Sequence, residues 1–537
     1  MNPTTDKPIR SSYDAVIIGG GHNGLVCAAY LARAGRKVLV VEKRHVLGGA
    51  SASEEVVPGF TFSVFSYVVS LFRPHIIRDL DLARHGMQIL PMDTTYNPLP
   101  DDRGLVRWGD AGRTRREIAR FSESDASLYP EFGMAMSRLS RFTKNIIDTT
   151  APEPASLHPK ELLKLLKLGK LLREFDGDMR YLNLKLMTMS AVDFLHEWFE
   201  SEPLVPAMAG SGIIGTFMGV RSPGTAYVLL HHYMGEIDGA YRAWGFSKGG
   251  TGQVSLACAR AAQSFEAEII TDSSVAEIIV KDGKAQGVAL ESGDEIRAKS
   301  VISSVDPNRT FLKMVPAQHL DQDFIQSIAR YKNRGSSGKV NLALDRLPTF
   351  ADGREGDQHL RGDITIAPSI DYIERAYDEA KYGQFSRRPF LNIVIPSLLD
   401  PSVAPPGKHV LSAFVQYAPY NLSSGASSWP EHRSAFGKTV IDTIEEVCPD
   451  IRDCIVGEQV ITPWDIEEMI GLTEGNIFQG ELSLEQLAFL RPVAGWARYQ
   501  TPVKQLWMCG SGTHPGGGIM GAPGELAAKT MLTRGAL

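Results

Sequence analysis

After a short polar stretch the chain runs through an apolar segment, YDAVIIG from Tyr13 to Gly19, without polar alternation. LVCAAYLARAG follows with a helical period and stops at Gly35, and KVLVVEK is a second apolar run containing Glu42. Apolar runs of this length predict strands buried on both faces, as in a parallel sheet. Midway, QVSLACARAAQSF has helical spacing, and EIITDSSVAEIIVKDGKAQGVALESGDEIRAKSVISS reads as consecutive strands. Asp282-Gly283 between two of its apolar runs is a hairpin signal. Near the end, Leu506 to Cys509 is a short strand and GELAAKTML a helix. These pieces predict an α/β Rossmann-type domain built from discontinuous segments, residues 12–70, 245–310 and 495–537. An interleaved α+β substrate or cap domain takes residues 71–244 and 311–494.

Three further patterns stand outside that domain or at its edge. Phe60 to Tyr67 (FTFSVFSY) alternates aromatic and small residues, as a half-buried strand does. Lys160 to Phe175 has Lys160, Lys164, Lys167 and Lys170 on one helical face and Leu162, Leu165, Leu166 and Leu172 on another. Such a helix packs as a cap or rests on an anionic membrane surface, or serves oligomerisation. His231, His232 and Tyr233 are adjacent, and read as a strand the two histidines point to opposite faces, which disfavours a shared metal.

Composition narrows the class. The chain has 537 residues, 43% hydrophobic and 22% charged, enough for more than one domain around sizeable cores. A net charge of −6 offers no general attraction for a nucleic-acid backbone. The five cysteines form no CxxC pair, so neither a redox dithiol nor a zinc site is expected, and Cys27 and Cys509 read as core thiols. MNPTTDKPIRSS has no apolar signal core, and no run of about 18 apolar residues occurs. The expected location is cytoplasmic, with peripheral membrane contact at most.

Chemistry enters at the glycines. Gly19 permits a tight turn, Gly21 lets a pyrophosphate approach the backbone, and Gly24 lets helix and strand pack closely. His22 and Asn23 sit at the helix N-terminus, where free N–H groups and the dipole favour phosphate. Glu42 ends the second strand where a carboxylate meets ribose hydroxyls. Lys43 and Arg44 then lead into Gly48-Gly49-Ala50-Ser51, a loop that suits the same phosphates. At the other end of the chain, Gly510-Ser511 and Gly517-Gly518-Ile519-Met520 form a glycine-dense turn between strand and helix.

The basic-residue and Gly-Gly extension resembles the FAD superfamily of amine oxidases, carotenoid desaturases and Rab GDP-dissociation inhibitors. GGGHNGL, WGFSKGGTGQ and GNIFQGELSLEQL–RP–GSGTHPGGGIMGAPGE together resemble the pyridine nucleotide-disulfide oxidoreductase domain-containing protein 2 family. Its relatives are the phytoene-desaturase-like enzymes. The resemblance implies FAD as cofactor in a glutathione-reductase-like or amine-oxidase-like fold. It also implies that Val275 meets the adenine and that the C-terminal loop touches the isoalloxazine. Phe65, Ser66 and Tyr67 would face the flavin, with Tyr233, His514, Trp244 and Arg242 as weaker substrate-side candidates. No catalytic triad, paired carboxylates or metal-ligand set is evident. The expectation is hydride transfer between FAD and a hydrophobic, polyene-like substrate, with oxygen or a quinone as external acceptor. A flavin amine oxidase, a non-redox flavin isomerase and a non-catalytic binding protein on the same fold remain the alternatives.

Overall fold

The computed structural model describes Thr4 and residues 10–537 except 174, 238 and 242, with all their side chains but those of Lys160 and Tyr241. Arg242 therefore lies outside the described residues, as does Glu174.

Tyr13–Ile18 is the central strand of a seven-stranded sheet, paired in parallel with Val38–Val41 and with Glu295–Ser303. Glu268–Ile270 and Leu506–Met508 extend the parallel part on either side. Start, middle and end of the chain thus meet in one sheet. The hairpin Val275–Lys281 and Lys284–Leu290 joins antiparallel to the first half of Glu295–Ser303. Its turn has φ of +52° at Asp282 and +69° at Gly283, the paired positive values that a tight primed turn needs.

The helices His22–Arg33, Gly252–Ser264 and Ala522–Thr533 cover one face with small, buried side chains. They pack so closely that a Cβ on Gly524 would stand 2.1 Å from the Asn23 carbonyl oxygen. The parallel strands deliver their C-terminal ends, and the helix N-termini after them, to one crevice.

A second seven-stranded sheet runs Ile455–Ile461, Ser337–Leu344, His409–Gln416, Phe390–Val394, Asp363–Ile366, Thr94–Pro98 and Gly104–Trp108. Only the Asp363–Ile366 and Thr94–Pro98 pairing is parallel. One face rests on Trp429–Glu445 through Trp429, Phe436 and Val440. Helices between Glu123 and Tyr233 form a cap with its own core.

Three local expectations change. His231, His232 and Tyr233 end the helix Thr225–Tyr233 rather than a strand, and His232 Nδ1 lies 2.9 Å from the Val228 carbonyl one turn back. A helix buried on every side shows no polar alternation, so its period is hidden. The strand at Phe60 ends at Ser63, and Val64 to Tyr67 follow as non-strand chain. In the helix Pro159–Arg173, Leu162, Leu163 and Leu166 are exposed, while Leu168, Leu171 and Leu172 face the cap core. The inward stripe starts at Glu161, buried because its carboxylate accepts the Glu153 N–H and meets Lys164 and Arg498.

Among the described residues no helix is long and apolar enough to cross a membrane, and no metal-binding cluster occurs.

Candidate cofactor and substrate site

The crevice holds a cavity of about 150 Å³ directly above the first glycine loop. Gly19 has φ +97°, and a Cβ on Gly24 would reach 2.3 Å from the Gly19 carbonyl, so turn and helix can close only with glycine at both. A Cβ on Gly21 would meet only the Gly48 carbonyl at 3.9 Å, which leaves its open side to a ligand. No side chain caps the helix that starts at His22, so its first N–H groups face the cavity. Gly48 N–H donates to Gly20 O over 2.9 Å, and Gly48 and Gly49 take positive φ to bring their loop beside it.

Glu42 is buried at the far end of the same cavity and accepts the Gly20 N–H (2.7 Å) and the Arg44 N–H (3.0 Å). Burial raises its carboxyl above the usual range against those two bonds. Each oxygen keeps a lone pair for a ribose hydroxyl. Val275, Ala50, Gly49 and Ser511 line the cavity as well.

The basic residues divide. Lys43 lines the cavity, and burial, then the neighbouring Arg309 charge, lowers its ammonium. Arg44 turns away and pairs with Glu54 at 2.9 Å. Arg309 lines the cavity instead, with Nε held by the Gly471 carbonyl at 2.9 Å. Sequence reasoning misses Arg309, although SVDPNRT after a parallel strand is the signal that could have found it. Ser51 is fully buried, bonds Gly48 O (2.9 Å) and meets Ser255 Oγ at 2.6 Å, so it fixes the loop from behind.

At the C-terminal loop, Asn23 Nδ2 donates to Ser511 Oγ at 3.0 Å. Gly510 lies against Ser304 and Gln479, where a Cβ would come within 2.5 Å of both. Gly517 lies under Phe478, and its carbonyl faces His231 Nε2 at 3.3 Å. Met520 is buried against Leu71, Ile147 and Met234. Arg491, fully buried, donates to the carbonyls of Ser511, Phe478, Gly480, Glu481 and Gln486 and locks the loop in place. His514 faces the cap, with Nε2 near the carbonyls of Ile146 (3.1 Å) and Thr149 (3.0 Å).

A second cavity of about 100 Å³ meets the first at His22, Ala50, Ile477 and Ser511. Its walls are mostly apolar: Phe65, Tyr67, Leu71, Ile214, Phe414 and Phe478, with Gly518 and Ile519 from the C-terminal loop. Tyr67 stacks on Phe414, centroids 5.6 Å apart at 22°. Ser66, His232 and Trp244 also line it, whereas Tyr233 faces a neighbouring cavity. Burial holds His22 and His232 neutral, lowering both to about 4. Behind the wall, burial drives the Lys339 ammonium well below its ordinary value, and its Nζ donates to the carbonyls of Ser63 and Ser66. That pin holds the chain from Val64 to Tyr67 against the large sheet.

His22 Nε2, where the cavities meet, and Asn23 Oδ1, on the first cavity beside it, are buried without partners. A donor-rich cradle, a ribose-suited acid at one end and two orphaned polar atoms at the other match a dinucleotide whose ring reaches the apolar chamber.

The whole chain compares accordingly. Residues 24–524 match the family of flavin-containing amine oxidoreductases. The chain belongs to that family. It is 39% identical to pyridine nucleotide-disulfide oxidoreductase domain-containing protein 2 of Rattus norvegicus over 550 residues, 98% of this chain and 94% of that one. It is 27% identical to a limonene dehydrogenase polypeptide of Castellaniella defragrans, covering 96% of this chain and 94% of that one. A solved putrescine oxidase with putrescine bound shares the fold, at TM-score 0.60 and 16% identity, over 97% of this chain and 99% of that one. FAD is the cofactor, and the chain is an FAD-dependent oxidoreductase. All five cysteines are buried and free.

Proposed function

We propose that the chain dehydrogenates, or in reverse saturates, a hydrophobic, polyene-like substrate by hydride transfer with FAD. The observation that carries this reading is the apolar chamber adjoining the cofactor cleft. When bound, FAD supplies the two-electron acceptor for a hydride. The chain supplies position and dryness. Phe65, Leu71, Ile214 and Phe478 exclude water, and the Tyr67–Phe414 plate gives a flat hydrocarbon a surface to lie on. Neutral His22 and His232 bring no positive charge to the flavin end that would hold an anionic substrate. The dehydrogenation named for the limonene dehydrogenase relative is of the same type.

Oxygen or a quinone is the fitting acceptor, since the sequence offers no second dinucleotide loop. Leu162, Leu163 and Leu166, exposed beside Lys167 and Lys170, give the Pro159–Arg173 helix the character for peripheral membrane contact, a route for a poorly soluble substrate.

Product mass decides the chemistry. Turnover of a polyene or terpene with an added quinone is expected to change product mass by two hydrogens. An unchanged mass with a shifted double bond would replace this reading with isomerisation.

A further inference from the structure

The inner face of the large sheet is polar where it passes under the cap. Asp363 stands opposite Thr95, and Thr95 opposite Arg107, in register across three adjacent strands. One step along, Thr365 stands opposite Asn392. The alternate positions Ile364, Ile366, Leu391, Ile393, Tyr96 and Val106 all lie in the core on the other face. Period-two alternation of this kind belongs to a sheet with one solvated face. Here Ala207, Met208, His232 and Tyr233 of the cap cover part of that face and enclose a cavity of about 310 Å³.

Its polar wall is incompletely satisfied. Asn392 Nδ2 donates to Thr365 Oγ1 (3.2 Å), whose hydroxyl donates to Asp363 Oδ2 (2.9 Å). That chain leaves Asp363 Oδ1 and Asn392 Oδ1 buried with no donor. Asn392 is only 5% exposed. Buried acceptors without donors are costly, so the wall suits a donor that arrives with a ligand. His232 and Trp244 line both this cavity and the apolar chamber at the flavin, so the two spaces adjoin.

We propose that this cavity holds the hydrogen-bond-donating polar end of an amphipathic substrate, bound by Asp363 and Asn392, while its apolar part passes Trp244 and His232 to the flavin. The inference rests on the hydrophobic-substrate reading above and narrows it from a plain hydrocarbon to a chain with an alcohol or a protonated amine at one end. Thr95 and Arg107 complete the row, and the Arg107 charge balances Asp363.

The test titrates the FAD-loaded protein with 1-decanol, decylamine and n-decane, following heat of binding and the flavin absorption band. Decanol or decylamine is expected to bind at least about tenfold more tightly than decane. Asp363→Leu, which removes both acceptor oxygens, and Asn392→Leu should each remove most of that preference while leaving decane affinity and FAD content unchanged. In Asp363→Asn, which keeps an acceptor oxygen but not the charge, loss confined to decylamine identifies the head as an amine; retention of both ligands identifies a hydroxyl. Equal binding of all three ligands by the unaltered protein, or a preference intact in both leucine variants, overturns the proposal. A preference seen without any flavin reduction by substrates would leave this site standing and remove the redox reading. Flavin reduction without the preference would do the reverse.

Discussion

Asn23 and Ser511, 488 positions apart, are joined by a 3.0 Å hydrogen bond from Nδ2 to Oγ. The bond ties the first helix turn to the C-terminal loop at the point where cofactor cleft and apolar chamber meet. Asn23→Ala removes it and is expected to weaken FAD retention about tenfold, a loss of about 1–2 kcal/mol. FAD dissociation measured by recovery of free-flavin fluorescence checks this. Ser511→Ala should cost less than additively in the double variant, because both act through one bond.

Gly24→Ala places a methyl 2.3 Å from the Gly19 carbonyl. The first turn and helix must then separate, and the cradle opens. A colourless protein with folded far-UV circular dichroism is the expected outcome. Full flavin content in that variant would contradict the close packing.

Arg309 and Lys43 both face the cleft, whereas Arg44 is committed to Glu54. Arg309→Gln should lower FAD affinity about tenfold, and added salt should lower wild-type affinity more than that of the variant. Arg44→Gln should act more weakly and through the Gly48–Gly49 loop. Equilibrium dialysis at two ionic strengths separates the two.

Of the five buried histidines, four with strongly lowered values dominate the acid response. Burial lowers His22, His232 and His514 to about 4 and His231 to about 3, from an ordinary 6.5. These are bases with depressed folded values, so the unfolded chain binds their protons more readily. Their stabilisation is complete above pH 6.5 and is lost as pH falls toward 4, at up to about 1.4 kcal/mol per pH unit for each. Asp363, raised to about 6 by burial, and Glu42, Asp306 and Glu474, also raised by burial, act in the opposite direction and temper the slope. Denaturant titrations from pH 7 to 5 should show falling stability. His514→Gln should flatten the slope.

The cradle was legible because its demands are local. Gly19, Gly21, Gly24 and Glu42 answer to one turn, one helix start and one strand end, and Asp282-Gly283 to one turn type. Arg309 is harder, since its only signal is its place in SVDPNRT just after a parallel strand, with no glycine pattern to mark a phosphate loop. The Thr95–Asp363 step of the row is illegible in the sequence, because register between strands so far apart along the chain is set by tertiary pairing. His231 and His232 misled for a different reason: a helix covered on every side has no polar face to betray its period. His514 has the sequence position of a flavin-loop residue, yet its ring is turned to the cap by the carbonyls of Ile146 and Thr149.

In the proposed function the apolar chamber presents a hydrophobic C–H donor to FAD. Mixing the FAD-loaded protein with polyenes and terpenes under anaerobic conditions tests it most directly. Bleaching of the flavin band by at least one such substrate, slowed by Phe414→Ala and unaffected by Arg221→Ala on the exposed surface, is the expected result. Bleaching by small primary amines alone, with none by any polyene or terpene, would contradict it.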